Sequence, residues 1–438
     1  MFGTYRKVVG TPIGIILCLF SIVFAYSGGS GEPNDPYQIA TVSDWQQLMN
    51  MPADWNKCFL QTSDVNLQGV ALTPVGNPTN EFTGVFDGSG HIVRNAVINE
   101  NKPGASYVGL FGSVGSDGEI RNLGVENVYS DGYGNIGGLA GGNNGNISTC
   151  YVTGIVNGVF NNGSLAGVNY GIITNCCSAG TVNGGLYPGG GGGLVGRNIG
   201  SISNCYSTAF VIGNQLIGGL AGLNYGTVAG CYATGTVAGD SCVGGLVGGN
   251  YGTQTITDSY ATGKVTGNSY VGGLVGENSY AAIDGSYSIG QVVGSSYVGG
   301  LVGYSDNATA TASFWDVNTS GQTSSAGGEG KSTTEMQDMN TFVNAGWDFS
   351  YTDGDEADWF IQIDEYPILT WQISPADIYT DGRNNFRDFA VFAQYWMRED
   401  CRVYNDYCDW ADLNFDGSVD FDDLIVLMSY WLESGIYE

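Results

Sequence analysis

The apolar pattern of the chain is dominated by a pentad that returns at a nearly constant interval. It reads "VGLFG" from Val108, "GGLAG" from Gly137, "GSLAG" from Gly163, "GGLVG" from Gly192, "GGLAG" from Gly218, and "GGLVG" from Gly244, Gly272 and Gly299. The central leucines, Leu110, Leu139, Leu165, Leu194, Leu220, Leu246, Leu274 and Leu301, are separated by 29, 26, 29, 26, 26, 28 and 27 residues. Between pentads, stretches such as "SYATGKVTG" alternate small or apolar residues with polar ones and are broken by Gly and Asn. That is the pattern of short strands and turns, without the period of a helical repeat. A unit of this size cannot bury its apolar face alone, whereas stacked copies can. The pattern therefore predicts a mainly β fold, a parallel β-helix or β-solenoid of about eight coils.

Other columns keep the same register. Four residues after each leucine from Leu139 onward stand Asn143, Asn169, Asn198, Asn224, Asn250 and Asn278, closed by Ser305. A second column runs Cys150, Cys176, Cys205, Cys231, Ser259, Ser286, Ser313, followed in most copies by a ring: Tyr151, Tyr206, Tyr232, Tyr260, Tyr287, Phe314. With coils about 4.8 Å apart, each asparagine can hand its amide hydrogen bond to the next and occupy a left-handed turn. The Cys and Ser column suits the interior, which places the adjacent tyrosines outside. There they either pack on one another or offer faces to sugar rings. These columns, with cores such as "GGLVGEN", resemble the bacterial GLUG repeat family over residues 107–305. The resemblance implies a secreted or surface protein and names no reaction. Ser164 departs from the pattern, and "NGGLYPGGGGG" (183–193) lengthens one coil.

A stack of coils exposes unpaired edges and calls for caps. "DPYQIATVSDWQQLMN" predicts a strand and a short helix with Ser43 as N-cap, and Phe82 to Glu100 reads as an irregular first coil. After the repeats, "STTEMQDMNTFVNAG" carries a capping box from Ser332 to Glu335 and a terminal Gly346, and "WFIQIDEYPILTW" reads as closing strands. The division is thus a leader (1–25), an N-terminal cap with the irregular coil (26–106), the solenoid (107–315), a C-terminal cap (316–374) and a small all-α module (375–438).

That last module carries the cation chemistry. In "DLNFDGSVDFDD", Asp412, Asn414, Asp416, Asp420 and Asp423 fall at positions 1, 3, 5, 9 and 12 of an EF-hand-type loop, with Gly417 at 6 and the Ser418 carbonyl at 7. The same frame 35 residues earlier offers Asp377, Asp381, Asn385 and Asp388, with Gly382 at 6 and the Arg383 carbonyl at 7. Each loop leads into an amphipathic helix, with Phe389, Phe392, Ala393 and Trp396 or Leu424, Leu427, Met428 and Trp431 along one face. Paired loop-helix units without an incoming helix resemble a type I dockerin. The resemblance implies two Ca2+ sites and a cohesin-type partner on a scaffold or cell surface, chosen by loop positions 10 and 11: Phe386 and Arg387, Phe421 and Asp422. The first loop departs from the motif at Tyr379 and Asn384.

Charge follows this division. Of 42 acidic residues, 25 lie between Asp316 and Glu438 beside five basic ones, and the whole chain carries −29. This balance disfavours nucleic acid and suits calcium. Arg6 and Lys7, an apolar run to Phe24 and "VFAYS" read as a signal peptide for export. In an oxidising destination Cys401 and Cys408 are the expected disulfide.

Catalytic signals are few. Asp258, Glu277 and Asp284 are the nearest candidates for a carboxylate pair of a glycoside hydrolase or lyase. Asp258, however, holds a turn position that Asn175 and Asn204 fill in other coils. His91, the single histidine, has no nucleophile motif beside it. The reading is a secreted, non-catalytic, carbohydrate-associated binding or adhesion protein, anchored by a calcium-dependent dockerin–cohesin interaction. The alternative is a polysaccharide-active enzyme on the same solenoid.

Overall fold

The computed structural model describes residues 26–99, 106–184, 189–349, 358–362, 364–372, 386–398, 401, 411, 413 and 418–433. The expected leader lies outside them. Each coil runs through four strands. In the seventh, Ser269–Gly272 belongs to sheet I, Val275–Ser279 to sheet II, Ala282–Asp284 to sheet III, and Tyr287–Ser288 with Val292–Val293 to sheet IV. Sheets I and II hold eight strands each and sheet III eleven. Successive coils pair in parallel and in register, so that Val271 lies beside Val298, Asn278 beside Ser305 and Tyr287 beside Phe314. The solenoid has about 9 turns, because the irregular coil from Val85 to Asn99 stacks beneath the eight pentad coils.

The glycines of the pentad sit where sheets I and II meet. A Cβ on Gly276 would lie 2.5 Å from Val243 N, and one on Gly272 would lie 1.9 Å from Val275 O. Gly248 and Gly303 repeat the contact, each 2.5 Å from a sheet I amide nitrogen, of Ile217 and Val271 respectively. Backbone therefore packs directly on backbone at this corner, and only glycine leaves the room. The pentad leucines fill the interior with Ile147, Ile173, Ile202, Val228, Ile256 and Ile283.

The asparagine column forms the expected ladder, fully buried. Nδ2 of Asn143, Asn169, Asn198, Asn224 and Asn250 donates to Oδ1 of the next asparagine at 2.8, 2.9, 2.8, 2.8 and 2.9 Å. The expected left-handed backbone is not there, however. These asparagines lie within sheet II strands, and Asn143 Oδ1 accepts from Gly145 N to hold the following turn. Positive φ occurs instead just before the Cys and Ser column, at Asn175, Asn204 and Asp258, and along sheet I, at Asn135, Asn161, Leu216, Cys242, Tyr270 and Tyr297. The Cys and Ser column is internal, each backbone amide reaching the next sulfur or hydroxyl, as from Cys150 N to Cys176 Sγ (3.4 Å) and Ser259 N to Ser286 Oγ (3.2 Å). Burial pushes the Cys150 and Cys205 thiols well above their ordinary range.

At the N-terminal end the helix Val42–Asn50 lays Trp45 over Phe86 and Phe111. Its N-cap is Thr41 rather than Ser43: the buried Asp44 carboxylate accepts from Thr41 N, Ala40 N and Ser27 Oγ, which fixes the box two residues earlier. At the other end, Glu329–Lys331 adds a strand beyond Phe314–Asp316. The segment from Ser332 then takes a lateral course. Its short helices Thr333–Met336 and Met339–Val343 and the antiparallel pair Trp359–Phe360 and Ile368–Leu369 cover the outward ring column instead of extending the stack.

Replacing Asn224 by Ala removes two ladder bonds and its bond to Gly226 O, and strands buried groups on Asn198 and Asn250. A loss of about 2–3 kcal/mol is expected from urea unfolding; an unchanged midpoint would contradict the ladder's role.

Candidate functional site

The outward ring column is a stack in its own right. Tyr206, Tyr232, Tyr260 and Tyr287 lie 4.9 to 5.0 Å apart with planes within 8°. The lateral segment covers it: Trp347 and Trp359 pack on Tyr287, and Trp359 on Tyr260. Trp371 lies over Tyr232 and Tyr206 and donates to Gly230 O at 3.1 Å. Tyr287 donates to Pro367 O and Tyr260 exchanges hydrogen bonds with Gln372. Of the two roles open to these rings, they perform packing, and Tyr260, Tyr287 and Phe314 are buried.

The three carboxylates do not form one site. Asp284 and Thr257 are paired neighbours in sheet III, so Asp284 and Asp258 are close, and Asp284 accepts from Thr311 Oγ1 at 2.6 Å. Glu277 projects from sheet II, where it accepts from Tyr251 Oη (2.9 Å), Cys242 Sγ (3.2 Å) and Ser279 Oγ (3.3 Å). Asp258 occupies a left-handed turn and accepts from Trp359 Nε1 at 3.3 Å. Its carboxyl is pushed up to about 6, first by burial under that ring and then by the charge of Asp358. His91 is a turn residue whose Nδ1 lies 3.4 Å from Asp64 Oδ1. Arg94 bridges Asp64 and Glu126 beside it.

A second set of rings, partly open to solvent, lies on another corner. Tyr270 of the seventh coil meets Tyr297 and Tyr304 of the eighth at 5.0 and 5.1 Å, and Tyr304 stands at 83° to Tyr297. Tyr297 is 59% exposed. Towards the N-terminus the surface continues through Glu277 and Tyr251 to Tyr225, 5.7 Å from Tyr251, and to Arg197, whose guanidinium lies over Tyr225. The pentad's glycine corner assembles this ledge by bringing the left-handed sheet I column against sheet II of the next coil. No spacing in the sequence marks it, because Tyr270 and Tyr304 belong to different columns and different coils.

In the C-terminal module the helices Phe386–Tyr395 and Phe421–Glu433 stand where the apolar spacing predicts them. Asp377, Asp381, Arg383, Asn385, Asp412, Asn414 and Asp416 lie outside the described residues, and Phe386, Arg387 and Asp388 are described by backbone alone. Of the second loop, Asp423 is buried and accepts from Leu413 N (2.7 Å) and Asp420 N (2.8 Å), while Asp420 accepts from Asp422 N and Ser418 Oγ. This described part of the donor set is all oxygen, which suits a hard cation such as Ca2+. No group of three metal-binding side chains converges among the described residues. Phe392 and Leu427 form the module's core with Val419 and Cys401. Cys401 is disulfide-bonded; Cys408, its expected partner, lies outside the described residues. The expected apolar faces are only half internal: Phe389, Trp396 and Met428 are exposed, with Phe421 (67%) and Ile425 beside them.

Comparison with known proteins supports the repeat. The GLUG motif matches four times, at residues 187–212, 213–238, 239–266 and 267–293, the fourth to seventh pentad coils. The chain is similar to halomucin of Haloquadratum walsbyi, with 35% identity over 142 residues, 30% of this chain and 2% of halomucin. It is also similar to a protein of Evansella cellulosilytica provisionally named a Gly-rich membrane protein, with 32% identity over 137 residues, 27% of this chain and 16% of that protein. The chain thus spans a small part of the length of the curated relatives it matches. A crystal structure of a protein from Bacteroides ovatus provisionally named an immunoglobulin A1 protease aligns at 21% identity with a TM-score of 0.38, covering 80% of this chain and 96% of that one. No helix among the described residues is long and apolar enough to cross a membrane.

Asp258 is half-buried, and its raised pKa links stability to pH. Its folded value of about 6 exceeds the ordinary 3.8, so folding favours the neutral acid. Stability is full below pH 3.8 and falls as pH rises through 6. Asp258→Asn should therefore raise stability by about 1 kcal/mol at pH 7.5, after allowance for solvent screening, with little change at pH 3.5. Thermal unfolding at both pH values checks this.

Proposed function

We propose that the chain is a secreted or surface-displayed, non-catalytic repeat protein whose solenoid presents a long binding surface. In this reading, the C-terminal module attaches it, through calcium, to a cohesin-type domain on a scaffold or cell surface. The observation that carries the attachment is the exposed face of Phe421, Ile425, Met428 and Trp396 beside the acidic loop that ends at Asp423. An apolar patch of this kind, rimmed by carboxylates, is a protein-docking surface rather than a solvated helix face. Calcium in the loops would neutralise the aspartates and set the first turn of each helix, so docking would depend on the ion. The GLUG repeats and a relative named as a Gly-rich membrane protein support display outside the cell.

A second reading, a glycoside hydrolase or lyase, has one observation in its favour: Asp258 with a raised affinity for its proton beside Asp284 and Asp358. Against it, the Asp258 carboxyl is engaged by the Trp359 ring, and Glu277 stands on a different sheet.

With the purified chain and a panel of cohesin domains, capture is expected in calcium and lost in EDTA, with Phe421→Asp weakening it about tenfold or more. Capture that survives chelation would contradict the docking mechanism. Incubation with plant and algal polysaccharides should release no sugar; release abolished by Asp258→Asn or Asp284→Asn would establish the enzyme reading instead.

A further inference from the structure

We propose that the tyrosine ledge formed by Tyr225, Tyr251, Tyr270, Tyr297 and Tyr304 around Glu277 is a binding site for a neutral glycan chain lying along the solenoid axis. The proposal rests on the reading of the solenoid as a binding surface and assigns that surface a place and a ligand class.

The fold treats its two sets of outward rings differently. The stack on sheet IV is covered by the chain's own tryptophans. The ledge receives no such cover from the described residues, and Tyr225 and Tyr297 remain exposed among them. Keeping large rings in water costs hydrophobic stabilisation, so an uncovered contiguous set marks a contact surface. Tyr297 and Tyr304, nearly perpendicular, make a floor and a wall. A sugar ring placed there has a C–H face for the floor and hydroxyls for the wall. The hydroxyls of Tyr225, Tyr270, Tyr297 and Tyr304 make no hydrogen bond among the described residues, whereas that of Tyr251 is committed to Glu277. They are donors and acceptors left for a polyol.

Charge selects within the sugars. Glu277 is held in place by Tyr251, Cys242 and Ser279, an oriented acceptor for a ligand hydroxyl. It repels a uronate carboxylate, on a chain already carrying −29. Arg197, at the far end, is the only cation touching the ledge among the described residues; its guanidinium lies 5.3 Å from the Tyr225 ring centroid, and its Nε has no hydrogen-bond partner there. Around Glu277 an anionic glycan thus meets a carboxylate with Arg197 three coils away, and a neutral one meets rings, hydroxyls and one acceptor. The repeat adds direction. The ledge crosses coils five to eight at about 4.8 Å per coil, a track along the solenoid axis suited to an extended ligand.

Isothermal titration of the full chain with cellohexaose, xylohexaose, laminarihexaose and hexagalacturonate tests this. At least one neutral hexasaccharide should bind, and hexagalacturonate should not. Tyr297→Asn should weaken binding about five- to tenfold. That variant keeps the backbone, since Asn135 and Asn161 occupy the same column at the same positive φ. Tyr297→Phe should stay close to wild type in stacking, and Glu277→Gln should admit hexagalacturonate. Binding undiminished in Tyr297→Asn and in Tyr304→Ala would overturn the site while leaving a binding solenoid. Tighter binding of hexagalacturonate than of every neutral sugar would overturn the ligand class. Binding of none of the four would overturn the proposal, with cohesin capture still deciding the attachment separately.

Discussion

Everything in the solenoid depends on the close approach of backbone to backbone where sheets I and II meet. The last glycine of each pentad leaves a gap that a methyl group would fill, 2.5 Å from the amide nitrogen of the preceding coil at Gly248, Gly276 and Gly303. That approach fixes the cross-section of the coil. It places the pentad leucine inside, sets the asparagine of sheet II directly over its counterpart, and turns the left-handed sheet I residue outward across the neighbouring coil. The buried amide ladder then locks the register, because a slip by one residue would leave each asparagine's donor and acceptor unpaired in the interior.

The same corner makes the surface. Side chains of the sheet I column have no room beside the glycine backbone and extend over sheet II of the next coil, so Tyr270 reaches Tyr304 and Cys242 reaches Glu277. On the opposite side of the coil, the identical-column tyrosines stack face to face and are closed over by the segment that follows the repeats. One repeat thus yields two aromatic tracks, one sealed by its own chain and one left to meet a ligand.

The repeat was legible because a stacked coil demands the same residue at the same position, so Leu, Asn and Cys/Ser columns are visible without any structure. The inward or outward sense of those columns followed from strand alternation at Cys150 and Tyr151. Two features were not legible. The course of residues 332–349, 358–362 and 364–372 along the ring column depends on contacts such as Trp371 to Gly230, 141 residues apart, which no local pattern encodes. The ledge joins residues of different columns in successive coils, so no single spacing reveals it. The left-handed turns were misplaced by the same limitation: Asn is the residue of both the ladder and the turn, and only the strand geometry separates Asn143 from Asn175.

The glycine corner is the account's central claim, since the ladder, the core and the ledge all follow from it. Its most direct test is the urea unfolding of Gly276→Ala. The added methyl group should force sheets I and II apart between the sixth and seventh coils and lower stability by about 2–3 kcal/mol. An unfolding midpoint equal to that of the unaltered chain would contradict the account.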